Sequence, residues 1–258
     1  MTVIPISTQD VIRYSVLADA LAQAETVLAS ARLHVEEMRV KAAAPAADGE
    51  DDSDDRKAQL EAAEAALADR EKELAAVKER AENAGEEPVF LLRVPDYRSK
   101  IMFERDVKAD QADLLTFETL LAAAVNAVED GYVEEVPGLF DEAREELSLG
   151  HGPFQFDAAL KERWDAFWKS ALSSEAPSIA QFVADQIARM SLRAYHAVRH
   201  TLRGIENLRS ADGAPVQFRR AGGAVADATM AQIPGPFITA VGRRALELIY
   251  LPESARKN

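Results

Sequence analysis

The chain has 258 residues, 48% hydrophobic and 29% charged, with 44 acidic against 30 basic side chains and a formal net charge of −14. Such a length can bury a core, whereas such a charge repels a polyanion and opposes general nucleic-acid binding. No cysteine is present, which excludes disulfides, thiolate metal sites, iron–sulfur clusters and thiol nucleophiles, and no apolar run reaches the roughly 18–20 residues of a membrane helix.

In chain order, residues 2–6 alternate weakly, as a short strand does. This opening stretch lacks the basic-then-apolar order of a secretory signal, so a cytosolic location is expected. Ser7 or Thr8 is placed to cap a helix, with Asp10 in its first turn. Tyr14, Leu17, Leu21, Ala24, Leu28, Ala31, Val35 and Met38 then follow an unbroken three-four spacing, the seam of a coiled coil. Helix fails near Pro45. Residues 48–55 hold six acids and no base, a self-repelling loop without the glycine and glutamate spacing of a calcium-binding EF-hand. Leu60, Ala63, Leu67, Leu74, Val77 and Ala81 resume the seam, interrupted by Arg70. Two seams joined by a loop predict an antiparallel coiled-coil hairpin, either a spacer or a docking arm. Residues 1–85 therefore form a strand plus hairpin with an acidic loop at 45–55, and residues 86–258 a helical body.

Gly85 and Pro88 end the second helix. Residues 89–94 are the strongest strand of the chain, expected to pair with residues 2–6 and with a third strand at 216–218. Asp96 opens a helix. Further helices follow: an apolar stripe over 114–128, a shorter segment over 137–147, one lined by Leu160, Trp164, Phe167, Trp168 and Leu172, and a long one capped by Ser178 and running to Leu208. The last starts near Pro236. The fold class expected is mainly α, a helical body with a very small β element.

Catalytic chemistry finds no foothold in the spacing: no nucleophile-elbow or phosphate-cradling motif is present, and no cofactor is implied. His196 and His200 share a helix face as zinc ligands do, but the residues between them lack the glutamate of that motif and no third ligand is evident. The basic region runs through Arg189, Arg193, Arg199 and Arg203, with Arg209, Arg219 and Arg220 beyond. Such a stripe commonly serves as a wet helix face; the alternatives are the chain's own acidic loop or an acidic partner. Trp164 and Trp168, one turn apart, suit core packing or a partner-binding hot spot. These four arginines and two tryptophans are the partner-binding candidates.

Two stretches carry a family resemblance. Pro88-Val-Phe-Leu-Leu-Arg-Val-Pro-Asp-Tyr-Arg-Ser-Lys-Ile-Met-Phe-Glu-Arg-Asp-Val107 resembles the opening of tail assembly chaperones and related tail-gene products of long-tailed bacteriophages, where a short strand turns into an arginine-rich helix. The ending from Pro234 to Asn258, a helix and a polar tail with Lys-Asn, is similar to theirs. The hairpin before residue 88 departs from the pattern. The resemblance implies a non-catalytic protein of the host cytoplasm that binds the tape measure protein while the tail tube assembles, with no nucleic acid or membrane involved. The competing expectation is a structural or scaffold component of the tail or neck that self-associates through the heptads.

Overall fold

The computed structural model describes residues 6–7, 11–43, 53–83, 85–210, 212–251 and 256–257. The chain is mainly α-helical with a small three-stranded antiparallel sheet. It divides into two compact units, one of Met1–Ser99 with Val198–Asn258 and the other of Lys100–Ala197. The boundary expected at residue 85 is therefore not where the chain divides. Both ends of the hairpin are tied into the sheet, so the hairpin belongs with the strands.

In the sheet-and-hairpin unit, β1 (Ile6–Ser7) pairs in parallel with β7 (Arg256–Lys257). Most of the expected strand at 2–6, and the acidic run before Ser53, lie outside the described residues. β2 (Val11–Ser15) pairs antiparallel with β3 (Val89–Arg93), where the spacing predicts helix. Tyr14 satisfies both the heptad and the strand alternation, and pairing with β3 decides for the strand, as tertiary context commonly does for short segments.

Helix α1 (Val16–Ala43) starts directly after β2. Ser15 Oγ accepts from the Ala18 amide at 2.9 Å, and Glu87 Oε1 accepts from the Leu17 amide at 2.9 Å. The expected cap at Ser7 or Thr8 is thus replaced by Ser15 together with a carboxylate from the far end of the hairpin. Helix α2 (Ser53–Asn83) packs on α1. Arg32–Glu71 at 3.2 Å and Arg39–Glu64 at 2.9 Å bridge the two in antiparallel register. The predicted seam positions Leu17, Leu21, Ala24, Leu28, Ala31, Val35 and Met38 are those α1 turns from solvent, as are Leu60, Ala63, Leu67, Leu74, Val77 and Ala81 on α2, and Arg70 is exposed.

The third strand is β4 (Leu202–Glu206), antiparallel to β3. It is cut from the end of what the spacing predicts as one helix to Leu208, while residues 216–218 lie in no strand. Arg13 on β2 reaches across β3 to Glu206 on β4, with bonds of 2.9 and 2.6 Å. Phe90, Leu92 and Val94 are fully buried on one face of β3. Against β3 packs α9 (Gly235–Ile249), its Phe237 ring 5.6 Å from Phe90, with Val241, Ala245, Leu248 and Ile249 buried. β5 (Arg220–Ala221), β6 (Ala224–Val225) and α8 (Asp227–Met230) complete the unit.

The helical unit carries most of α3 (Tyr97–Ala109) and α7 (Pro177–Thr201), with α4 (Phe117–Glu129), α5 (Leu139–Ser148) and α6 (Ala158–Ser173) between. Thr116 and Asp157 cap α4 and α6 through their side-chain oxygens, and Asp96 caps α3 by accepting from the Ser99 amide at 2.8 Å. Pro177 opens α7, where its missing N–H costs nothing, so the cap expected at Ser178 falls inside the helix. Ser178 donates to the Ala123 carbonyl at 2.9 Å and so pins α7 to α4. The core is aromatic: Trp164 meets Phe117 at 5.2 Å and Phe156 at 6.1 Å, both edge-on, and Phe140 meets Phe167 at 5.2 Å.

Candidate functional site

The basic stripe read along one helix does not remain one surface. Arg189 donates from Nη1 to the carbonyls of Gln111 and Asp113 at 2.7 and 2.9 Å, and Arg193 lies 3.8 Å from the Asp113 carboxylate and 5.6 Å over the Phe103 ring. Both hold the segment between α3 and α4 against α7, helped by Gln186, which accepts from the Leu115 amide at 2.9 Å. Arg199 pairs with Asp227 at 3.1 Å within the other unit. Arg203 has left the helix for β4. Arg189, Arg193 and Arg199 therefore serve the chain's own packing.

The tryptophans separate in the same way. Trp164 is 3% exposed at the centre of the aromatic core, so its ring does not reach the surface. Trp168 is half-buried, its ring 6.0 Å from Phe182 of α7. The histidines sit inside: His196 Nε2 is 2.9 Å from Asp110 Oδ2, its Nδ1 is buried with no partner, and His200 is also buried. Among the described residues no three His, Asp or Glu side chains converge on a point where a metal ion could be held.

The solvent face of α7 has a different character. Its buried side is set by Ile179, Ala194, His196 and Ala197. Between 180 and 192 every exposed position of this helix is uncharged, and Ile187, Met190 and Leu192 are 59%, 54% and 40% exposed. The helical unit as a whole carries more acids than bases. Exposed aliphatic side chains with no charge among them over three turns of helix are unusual for a surface that meets only water. The arrangement offers aliphatic contact on a unit that is acidic in composition. The signal was in the sequence, as the absence of charge at outward positions, but which positions face outward follows only from packing.

The sheet-and-hairpin unit holds open clefts. One, about 920 Å³, is lined by Arg209, Gln217, Arg219, Thr229 and Gln232 among others. No helix among the described residues is long and apolar enough to cross a membrane. Comparison with protein families, with curated proteins and with solved structures finds no match to this chain.

Proposed function

We propose that this chain is a non-catalytic tail assembly chaperone of a long-tailed bacteriophage, binding the tape measure protein in the host cytoplasm during tail assembly. The observation that supports this reading is the uncharged, aliphatic solvent face of α7 on an acidic unit. A long client helix buries its apolar stripe against such a face. The net charge of −14 keeps the unloaded protein in solution and draws a basic client towards it.

Co-expression with a tape measure fragment that is insoluble alone tests the proposal. The full chain should hold the fragment in solution, and Ile187→Lys with Met190→Lys should abolish this without altering the circular dichroism of the chaperone. Client solubility unchanged by the double substitution would remove α7 from the mechanism.

A second reading, a structural component that self-associates through the hairpin, has its own support. Leu33 and Val40, seven residues apart on α1 and outside the seam, are 69% and 65% exposed. Purified particles separate the two: a chaperone is absent from them, and a structural component is present in fixed copy number.

A further inference from the structure

The sheet-and-hairpin unit brings the guanidinium groups of Arg93, Arg203 and Arg220 within electrostatic reach of one another. Register between β3 and β4 shifts between Leu91 and Leu92: Leu92 pairs with Leu202 and Leu91 with Gly204, leaving Arg203 unopposed at a bulge. Bulges re-aim side chains in this way. Arg93 ends β3 on the face opposite the buried Phe90, Leu92 and Val94. Arg220, at the start of β5, donates from Nη1 to the Leu202 carbonyl and from Nη2 to the Gly223 carbonyl, which fixes its guanidinium beside the bulge. Arg203 and Arg220 are each half-buried, and neither has a carboxylate at ion-pair distance among the described residues. Arg203 Nε–H is buried with no acceptor. Asp96 is the carboxylate that acts on both through space, while its Oδ1 accepts from the Ser99 amide. Arg93 adds like charge.

The electrostatics agree with the geometry. Burial first, then the Arg93 charge, holds the Arg203 guanidinium below its ordinary value; burial, then Arg203 and Arg93, holds Arg220 down to about 10. Partly desolvated cations held together are unfavourable until an anion joins them.

We propose that Arg203 and Arg220, with Arg93 beside them, form a binding site for one phosphate group, as the free dianion or as a phosphomonoester. Guanidinium forks match phosphate oxygens in geometry. A charge of about −1.5 to −2 at neutral pH matches two guanidiniums better than a single carboxylate does. The acidity of the whole chain disfavours a polyanion but leaves a local site for one compact anion. This site is independent of the α7 face, so either proposal can fail without the other.

Thermal unfolding of the full chain with inorganic phosphate, O-phosphoserine, acetate, or sodium chloride at matched ionic strength tests the proposal. Phosphate should raise the midpoint by about 2–4 °C in a concentration-dependent way, and matched chloride and acetate should not. A rise with phosphate alone identifies the free anion, and an equal rise with O-phosphoserine identifies the monoester. Arg203→Met should melt at or above the wild-type midpoint without phosphate, because a buried like charge is gone, and should lose the rise on its addition. Where Arg203→Met does not fold, Arg93→Gln should at least halve the rise. Phosphate stabilisation no greater than that by chloride or acetate, or an equal gain in the substituted chain, overturns the site.

Discussion

Leu91 and Leu92 are neighbours with opposite fates. The pleat sends Leu92 into the core, fully buried, and leaves Leu91 half-buried on the other face beside Gly204. A Cβ at position 204 would lie 2.9 Å from Leu91 Cδ1, so the glycine makes room for that side chain. Leu92→Asp places a carboxylate in the packed core and should cost several kcal/mol, a large part of the roughly 5–15 that hold a domain. Leu91→Asp should cost much less. Denaturant titration of both variants checks the order, and equal losses would contradict the register. Tyr14 makes a second test. Its hydroxyl donates to Asp19 at 3.0 Å, and burial first, then Asp19, pushes its pKa from 10 up to about 12. Because the folded state holds this proton more tightly than the unfolded one, the contribution is complete below pH 10 and is lost as pH rises towards 12. Tyr14→Phe should flatten the alkaline decline of stability in that window; an unchanged decline would mean that other groups set it.

At the scale of elements, the hairpin is a long excursion between two paired strands. Ser15, where the chain leaves β2, pairs directly with Val89, where it enters β3. Replacing residues 16–88 by a two-residue Asn-Gly turn should therefore close β2 and β3 as an ordinary hairpin and leave a cooperative thermal transition. Removing everything before Glu86 is a different cut. It takes β2 as well, strips one edge from β3 and leaves Glu206 without Arg13, so it should melt lower and aggregate. Aggregation of both variants alike would show that α1 and α2 contribute to the core directly.

At the scale of the whole molecule, the surplus of acids sets how the chain meets a partner. Electrostatic steering acts on encounter more than on the lifetime of a complex. Added salt should slow association with a basic apolar helix and leave dissociation nearly constant, measurable by surface-immobilised binding. Salt that changes only dissociation would place the charges inside the contact and argue against the aliphatic face of α7 as its centre.

The sequence by itself determined the seam of the hairpin, the strand that begins at Val89 and the helix start at Asp96. Each rests on a local cause: a three-four repeat, a run of apolar and β-branched residues, or a side-chain oxygen beside the first amides of a helix. Tertiary structure alone decided the strands at 11–15 and 202–206. Tyr14 continues a heptad and Leu202 and Ile205 continue a helical spacing, so periodicity assigns both segments to helices. Pairing with β3 overrides it, because the central strand has two edges to satisfy and only these segments reach them. The same pairing brings together Arg93 and Arg203, far apart in the chain, and Arg220 joins them through its bond to the Leu202 carbonyl. The pairing also puts Arg203 on a strand, whereas Arg189 and Arg193, which the sequence placed on the same stripe, stay on α7. Spacing reports which residues share an element, and strand register decides which elements share a site.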